Sequence, residues 1–229
     1  MVTIFHGDNT SASREAFISQ KQNAPDHISL RAGEFSITDL LQAFQGSKLF
    51  SQTTTVFIEN LLTKTKAEKE LDAIANCIVD NDAASTFLWE AADVSRKITS
   101  LFPKAKIQLF RLPSSLFQFV DSLGLKQQDE LIKLFHQTLE STDVVIIVAM
   151  LQRQIRLLLG VKEQAEIDEV KKLAPWQKSK LERQVNAFSR YALLKLHEKL
   201  FRLDFNQKTG ESALPLTTSI DFFLLSLYH

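Results

Sequence analysis

Cysteine is almost absent from this chain, which has only Cys77 among 229 residues. One thiol can form neither an internal disulfide nor a thiolate metal cluster, so we expect a reducing, cytoplasmic environment. Net charge is absent too, because 27 basic side chains are matched by 27 acidic ones. Nonspecific DNA affinity comes from neutralising phosphates, so this balance argues against a dedicated DNA binder that acts alone.

Long apolar runs and catalytic motifs are also missing. The longest apolar run, Val144–Leu151, is far shorter than the ~20 residues that a helix needs to cross a bilayer. The five histidines do not stand at metal-ligand spacings, and neither Gly-x-Ser-x-Gly nor His-Glu-x-x-His occurs. We therefore predict a globular protein with no membrane partner, no catalytic residues, no metal and no cofactor.

The first half of the chain alternates between strand and helix patterns. β-Branched and aromatic runs predict five strands, at 2–6, 27–31, 54–59, 86–90 and 106–110. Capping residues and helical spacing predict four helices, from Ser11 or Ser13 to Gln22 and at 36–44, 66–79 and 95–101. Such alternation implies right-handed crossovers and a mostly parallel sheet that is covered on both faces.

The second half of the chain has no convincing strand pattern after Leu112-Pro113. Helical spacing predicts helices at about 114–123, 127–140, 142–161, 166–173, 176–188, 190–206 and 215–228. The fold class is therefore α/β plus all-α, with an α/β domain over residues 1–112 and a helical domain over residues 113–229.

The turn after the first strand stands where a phosphate-binding loop would lie. A P-loop needs several glycines whose amides approach phosphate, a lysine for the terminal phosphates and a Ser or Thr for magnesium. This turn, which begins Gly7-Asp8-Asn9, has one glycine and no lysine, and Asp8 would repel a triphosphate. Glu90 and Asp93 offer carboxylates to a metal, but without a phosphate cradle they are a weak signal. We interpret Gly7 and Asp8 as a degenerate P-loop turn.

An apolar pair, Leu49 and Phe50, stands between Gly46 and the polar run Gln52-Thr53-Thr54, outside any periodic segment. Two interpretations are open: the pair packs under the sheet, or it protrudes as a wedge that enters a partner's pocket. Isolated apolar residues usually need no explanation, which favours packing under the sheet. As a wedge, the two side chains would contribute about 3–6 kcal/mol of apolar burial.

Taken in order, these motifs resemble the delta subunit of the bacterial DNA polymerase III clamp loader. FHGDNTSASREAF is similar to that family's opening strand and degenerate glycine turn, SKLFSQTTTVFIEN to its sLF element, and TFLWEAADVSRKITSLF to its strand and D-x-x-x-K helix. In the helical half, residues 116–122 resemble its F-x-L-x-D-A helix and residues 153–159 its R-Q-x-R-x-L-L helix. Asp204, Lys208 and Gly210 resemble its D-x-x-x-K-x-G helix end. Each motif is weak alone, and their order over most of the chain carries the resemblance.

The resemblance implies an AAA+-like (P-loop NTPase-like) sheet domain without a functional nucleotide site, followed by a helical collar. It implies that Leu49 and Phe50 enter a hydrophobic pocket on the sliding clamp (beta), and that the subunit helps to open the ring for loading onto primed DNA. The collar would pack beside the other clamp-loader subunits, and contact with DNA would be weak or indirect. Arg153 and Arg156 are then candidates for the subunit interface, or else for a solvated face or pairing with Asp143, Glu198 or Asp204.

One departure from the family is large. A three-helix lid domain usually separates the sheet domain from the collar, whereas here the last strand, KAKIQLF, leads through RLP directly into the first helix. We therefore expect a short form that lacks the lid. Two other classes stay open, a small nucleotide-binding α/β enzyme with a helical cap and a non-replicative adaptor protein.

Overall fold

The computed structural model describes residues 1–24, 26–46, 54–81, 84–165 and 167–228. The chain divides into two compact units, Met1–Leu112 and Pro113–His229. The first unit contains a sheet with helices, and the second contains helices without a strand among its described residues. The fold class expected from the sequence, α/β followed by all-α, is confirmed.

The first unit is built on a five-stranded sheet with the order β2-β3-β4-β1-β5, in which every neighbouring pair is parallel. The strands are β1 (Val2–His6), β2 (His27–Arg31), β3 (Thr54–Glu59), β4 (Ala84–Trp89) and β5 (Lys106–Leu109). All five correspond to predicted strands, although β4 begins two residues before the predicted start at Thr86. Parallel neighbours require crossover connections, which the intervening helices supply.

The helices of the first unit are α1 (Thr10–Gln22), α2 (Ile37–Gly46), α3 (Leu61–Lys64), α4 (Glu68–Val79) and α5 (Arg96–Thr99). The prediction that Ser11 or Ser13 caps α1 is wrong, because the side chain of Asn9 accepts the Ala12 N–H at 3.2 Å. The predicted start of α2 is confirmed. There Asp39 Oδ2 accepts the Ser36 N–H at 2.8 Å, while Ser36 Oγ accepts the Asp39 N–H at 3.3 Å.

Alternate residues of the strands fill two separate cores, one on each face of the sheet. Ile4, Val56 and Leu88 belong to the core that includes residues of α2 and α4. Phe5, Phe57 and Trp89, each one residue further along the same strands, pack with Phe17 of α1. Successive side chains of a strand point to opposite faces, so a sheet buried on both sides needs continuous apolar strands such as these.

The second unit surrounds one long apolar helix, α8. Its helices are α6 (Ser114–Asp121), α7 (Gln128–Leu139), α8 (Val144–Lys162), α9 (Asp168–Lys171), α10 (Pro175–Val185), α11 (Arg190–Thr209) and α12 (Leu216–Leu225). α8 packs against five of them, α6, α9, α10, α11 and α12. Asp143 begins α8, since its Oδ1 accepts the Val145 N–H at 2.7 Å.

α8 is also the one helix in the described part of the chain that is long and apolar enough to cross a membrane by length and composition. In the structure its apolar side chains Ile147, Leu151 and Ile155 are fully buried within the helical unit. The core helix of a globular protein passes the same test of length and hydropathy.

Candidate functional site

The carboxyl ends of the parallel strands are where open α/β sheets bind ligands. In this unit Gly7 follows β1, Asn60 follows β3 and Glu90 follows β4. The residues predicted to form a degenerate nucleotide site therefore lie at the edge where a nucleotide would bind. The contacts of these residues decide whether a phosphate can enter.

The turn at Gly7 is closed by the main chain that follows β5. Gly7 has a φ of +134°, and a Cβ built on it would lie 1.9 Å from the carbonyl oxygen of Phe110. Only glycine can let two backbone segments approach so closely in this conformation. Here the glycine admits the protein's own chain, where the glycines of a P-loop admit phosphate oxygens.

Two backbone amides of the same turn, those of Gly7 and Asn9, already have partners. The Asn9 N–H donates to the Phe110 carbonyl at 3.1 Å, and the Gly7 N–H donates to the Ala92 carbonyl at 3.4 Å. Asp8 Oδ1 accepts the Leu112 N–H at 2.8 Å. A phosphate cradle needs free backbone amides and a positive field. This turn instead presents occupied amides and a carboxylate, so it ties down the chain after β5.

Glu90, a candidate metal ligand, instead accepts hydrogen bonds from the N-terminal residues of the short helix α3. Its Oε1 accepts the Leu62 N–H at 2.8 Å, and its Oε2 accepts the Thr63 N–H at 3.0 Å and the Thr63 Oγ1–H at 2.7 Å. Burial raises the pKa of the Glu90 carboxyl, against the opposing effect of these hydrogen bonds. With both oxygens engaged, Glu90 holds α3 against β4.

Asp93, the second candidate metal ligand, lies beside His6. Its Oδ1 is 3.1 Å from His6 Nδ1, and the Val94 backbone nitrogen lies 3.1 Å from the same ring nitrogen. Among the described residues, no group of three or more His, Cys, Asp or Glu side chains is placed to hold a metal ion. The structure thus brings Asp93 and His6 together, and it gives Glu90 a separate, structural role.

Leu49 and Phe50, the predicted clamp-binding pair, lie outside the described residues. The elements that flank them are described: α2 ends at Gly46 and β3 begins at Thr54. The assignment of this pair to a partner's pocket stays a prediction.

Arg153 and Arg156 are brought together by one carboxylate that the sequence had not indicated. Arg153 Nε donates to Glu169 Oε1 at 2.9 Å, and Arg156 Nε donates to Glu169 Oε2 at 3.2 Å. Both arginines therefore form ion pairs within the helical unit, as one alternative predicted. The predicted partners Asp143, Glu198 and Asp204 are wrong, because the partner is Glu169. Both arginine side chains stay partly exposed, at 38% for Arg153 and 52% for Arg156. No sequence signal links α9 to α8, so only the fold could have found Glu169.

The helix-end motif of the second unit has a clear local structure. Lys208 Nζ donates to Asp204 Oδ2 at 2.7 Å across one turn of α11, and Gly210 follows the helix at its C-terminal cap. In the first helical motif, Leu116, Phe119 and Val120 are buried. In this chain the spacing of both motifs thus reflects helix packing and helix termination.

These features define a class of protein: a five-stranded parallel α/β unit whose turn after β1 is closed by its own chain, followed along the sequence by an all-helical unit. Residues 114–227, about half of the chain, match the model of the family described as DNA polymerase III delta subunit, C-terminal domain. The chain therefore belongs, through this domain, to the DNA polymerase III delta subunit family, which confirms the resemblance found in the sequence. No curated protein matches the chain.

Two solved structures are similar over nearly the whole chain. The DNA clamp loader delta protein of Bacillus subtilis is 15% identical, with a TM-score of 0.43, and the match covers 99% of this chain and 94% of that one. A DNA polymerase III gamma subunit-related protein of Thermotoga maritima is 13% identical, with a TM-score of 0.36, over 99% and 93% of the two chains. At these scores neither likeness adds to the family assignment.

Proposed function

We propose that this protein binds the DNA polymerase sliding clamp and helps to open the ring for loading onto primed DNA. Membership of residues 114–227 in the delta subunit family carries the proposal. The closed turn at Gly7 is compatible with it, because binding the clamp requires no triphosphate at that turn. Hydrolysis of ATP would then belong to other subunits.

The clamp-binding element in this proposal is Leu49-Phe50. The pair stands in the segment between α2 and β3. Both elements are anchored in the core that includes residues of α2 and α4, through the buried side chains of Leu40, Phe44 and Val56. A partner shifts a two-state equilibrium only by its differential affinity for the two states. Burial of Leu49 and Phe50 in the clamp would contribute about 3–6 kcal/mol of binding free energy. A differential affinity of about 5.5 kcal/mol for the open state shifts a ring from 1% to 99% open.

A clamp pull-down tests this element directly. Leu49→Ala combined with Phe50→Ala should weaken clamp binding by about a hundredfold or more, since each 1.4 kcal/mol is a factor of ten. The matched control is Ile37→Ala combined with Leu41→Ala, two exposed apolar residues on the preceding helix α2. Wild-type affinity in the Leu49/Phe50 variant, or an equal loss in the control, would show that the pair is not the clamp-binding element.

The helical unit is proposed as the collar that assembles with the other clamp-loader subunits, with a domain boundary between residues 112 and 113. Arg153 and Arg156 remain candidates for that interface, because the ion pairs with Glu169 leave both arginine side chains partly exposed. We also propose a short form without a lid: β5 ends at Leu109 and α6 begins at Ser114, which leaves four residues between them. The proposed location is the cytoplasm, where clamp loading takes place.

Two experiments separate this function from its alternatives. The nucleotide-binding enzyme requires an ATP analogue to bind with magnesium, and we expect no binding because the turn amides and Asp8 are engaged within the chain. The adaptor requires a partner unrelated to replication. Co-elution with the sliding clamp and the other loader subunits in size-exclusion chromatography supports the proposed function, and separate elution of all components contradicts it.

A further inference from the structure

His6 is a buried titratable side chain at the end of β1. Only 4% of the residue is exposed, and it points to the same face of the sheet as Ile4. Its Nδ1 has two close neighbours on the loop between β4 and α5, Asp93 Oδ1 and the Val94 backbone nitrogen, each at 3.1 Å. The contact with Val94 is buried, whereas 58% of the Asp93 side chain is exposed.

One ring nitrogen cannot bind both neighbours. The Val94 N–H is a donor, so it needs a lone pair on Nδ1, whereas an ionised Asp93 only accepts, so it needs a proton there. The proton at Nδ1 therefore decides which of the two is bound. The pair of His6 and Asp93 lacks a third metal-ligating side chain among the described residues, so a proton and not a metal ion joins it.

We propose that His6 is a proton-dependent latch on the loop that connects β4 to α5. When Nδ1 is unprotonated, it accepts the Val94 N–H, and the Asp93 carboxylate turns to water. When the ring takes a proton from solvent, Nδ1–H donates to Asp93, and the Val94 N–H loses its acceptor. A buried N–H without a partner is costly, so the loop moves until Val94 meets water. An imidazole changes its charge close to neutral pH.

The latch lies beside the closed turn at Gly7. Ala92, the residue before Asp93, accepts the Gly7 N–H at 3.4 Å, and Ser95, the residue after Val94, precedes α5. The Gly7 bond is longer than hydrogen bonds of this kind commonly are. The loop is thus held to the end of β1 at two points, and the proton acts on the second of them.

Asp93 is the charged neighbour that is free to respond to the proton. Glu90 stands next to His6 on the adjoining strand, since it follows the register partner of Phe5. Its charge favours the imidazolium, but both of its oxygens are bound to α3. On β5 the register partner of His6 is Leu109, which does not titrate. α1 packs with Phe5 on the opposite face of the sheet.

The other charges close to the loop belong to separate contacts. α5 begins with Arg96 and Lys97, and Lys97 Nζ pairs with Glu68 of α4 at 2.8 Å. Asp8 accepts the N–H of Leu112. Arg96 has the same sign as an imidazolium, so it opposes protonation of the ring where Asp93 favours it.

Solution NMR of the full chain tests the latch. Over a range of about pH 5.5 to 8, the ring-nitrogen shifts of His6 report its protonation, and the amide shift of Val94 reports its hydrogen bond. We expect the two to change together, with one midpoint. The amide of Asn60, which donates to the Trp89 carbonyl at 2.7 Å, is a reference that should stay constant.

Two variants separate the partners of Nδ1. Asp93→Asn removes the charge that favours the imidazolium, so the midpoint should fall by about 0.5 pH unit or more. His6→Asn places an amide oxygen near the position of Nδ1, so Val94 should stay bound at every pH. The matched control is His136→Asn, which alters the exposed pair of His136 with Asp221 at 3.0 Å and should leave the Val94 transition unchanged.

A Val94 amide that does not follow the His6 ring overturns the proposal. So does an unchanged midpoint in Asp93→Asn, or a ring that keeps one protonation state over the whole range. Circular dichroism confirms that each variant is folded, and if His6→Asn does not fold, the wild type and Asp93→Asn decide the outcome. The measurement needs neither clamp nor loader subunits, so failure of the latch is distinct from failure of the proposed function.

Discussion

Gln154 of α8 and Gln184 of α10 are joined by a buried hydrogen bond, in which Gln154 Nε2 donates to Gln184 Oε1 at 2.6 Å. Gln184 Nε2 donates in turn to the carbonyls of Val120 and Leu123, at 2.8 and 3.0 Å, at the end of α6. Buried polar groups cost free energy unless they are paired. This network of buried hydrogen bonds therefore links three helices of the second unit in one register.

The first prediction concerns that network. Gln184→Met keeps the side-chain length but removes three hydrogen bonds. The carbonyls of Val120 and Leu123 and the side-chain amide of Gln154 each lose Gln184 as a partner. Each buried polar group left unpaired costs about 1–3 kcal/mol, so the three together should lower the free energy of unfolding by about 3 kcal/mol or more. Urea denaturation followed by circular dichroism measures the change.

The control for Gln184→Met is Glu182→Met, at an exposed position on the same helix. It should change the free energy of unfolding by less than about 0.5 kcal/mol. If both variants unfold at the same urea concentration as the wild type, the buried network contributes no stability.

The second prediction concerns the closed turn. Gly7→Ala places a Cβ 1.9 Å from the Phe110 carbonyl oxygen at a φ of +134°, so the variant must separate two backbone segments. Gly33 provides the control, because its φ is +84° but nothing lies within 4 Å of an added Cβ. Gly33→Ala should cost about 1–2 kcal/mol, the penalty of a left-handed backbone alone.

Gly7→Ala should cost clearly more than Gly33→Ala, by about 2 kcal/mol or enough to prevent folding of the first unit. Thermal unfolding of the two variants measures the difference. Equal melting temperatures would mean that the chain after β5 does not close the turn in solution.

The third prediction follows from the buried carboxyl of Glu90. Burial raises its pKa in the folded protein above the ordinary value of 4.5. Below that value Glu90 is protonated in both the folded and the unfolded chain. As the pH rises, the unfolded chain releases its proton first, so the wild type loses stability until the folded pKa is passed.

Glu90→Gln removes this dependence, because the amide does not titrate. The free energy of unfolding of the wild type relative to the variant should decline above pH 4.5, by no more than about 1.4 kcal/mol per pH unit. Chemical denaturation across this pH range provides the measurement. A difference that stays constant with pH, or that grows as the pH rises, contradicts the direction of the shift.

The fourth prediction concerns Glu169. Glu169→Gln removes the charge that Arg153 and Arg156 share, but both pairs are partly exposed and such pairs contribute little. We expect the free energy of unfolding to change by less than about 1 kcal/mol. Urea denaturation checks this value. A loss of several kcal/mol would show that α9 depends on the pairs to stay on α8.

The positions of most elements were predictable from the sequence because their causes are local. Three successive apolar residues of β3, Val56, Phe57 and Ile58, are fully buried, as a strand covered on both faces requires. Ser36 and Asp39 begin α2 by hydrogen bonds within four residues of each other. α3 was missed because its N-terminal amides bind Glu90, some 28 residues later in the chain.

By itself, the sequence determined the order of strands and helices, the lack of phosphate-binding residues after β1 and the family of the helical half, because each depends on residue types at short spacing. Only the tertiary structure decided that Phe110 closes the turn at Gly7, that Glu169 pairs with Arg153 and Arg156, and that Asp93 and Val94 meet the same ring nitrogen of His6. Local patterns select which face of an element is apolar. Which distant backbone or carboxylate meets that element depends on packing between elements, which no local pattern encodes.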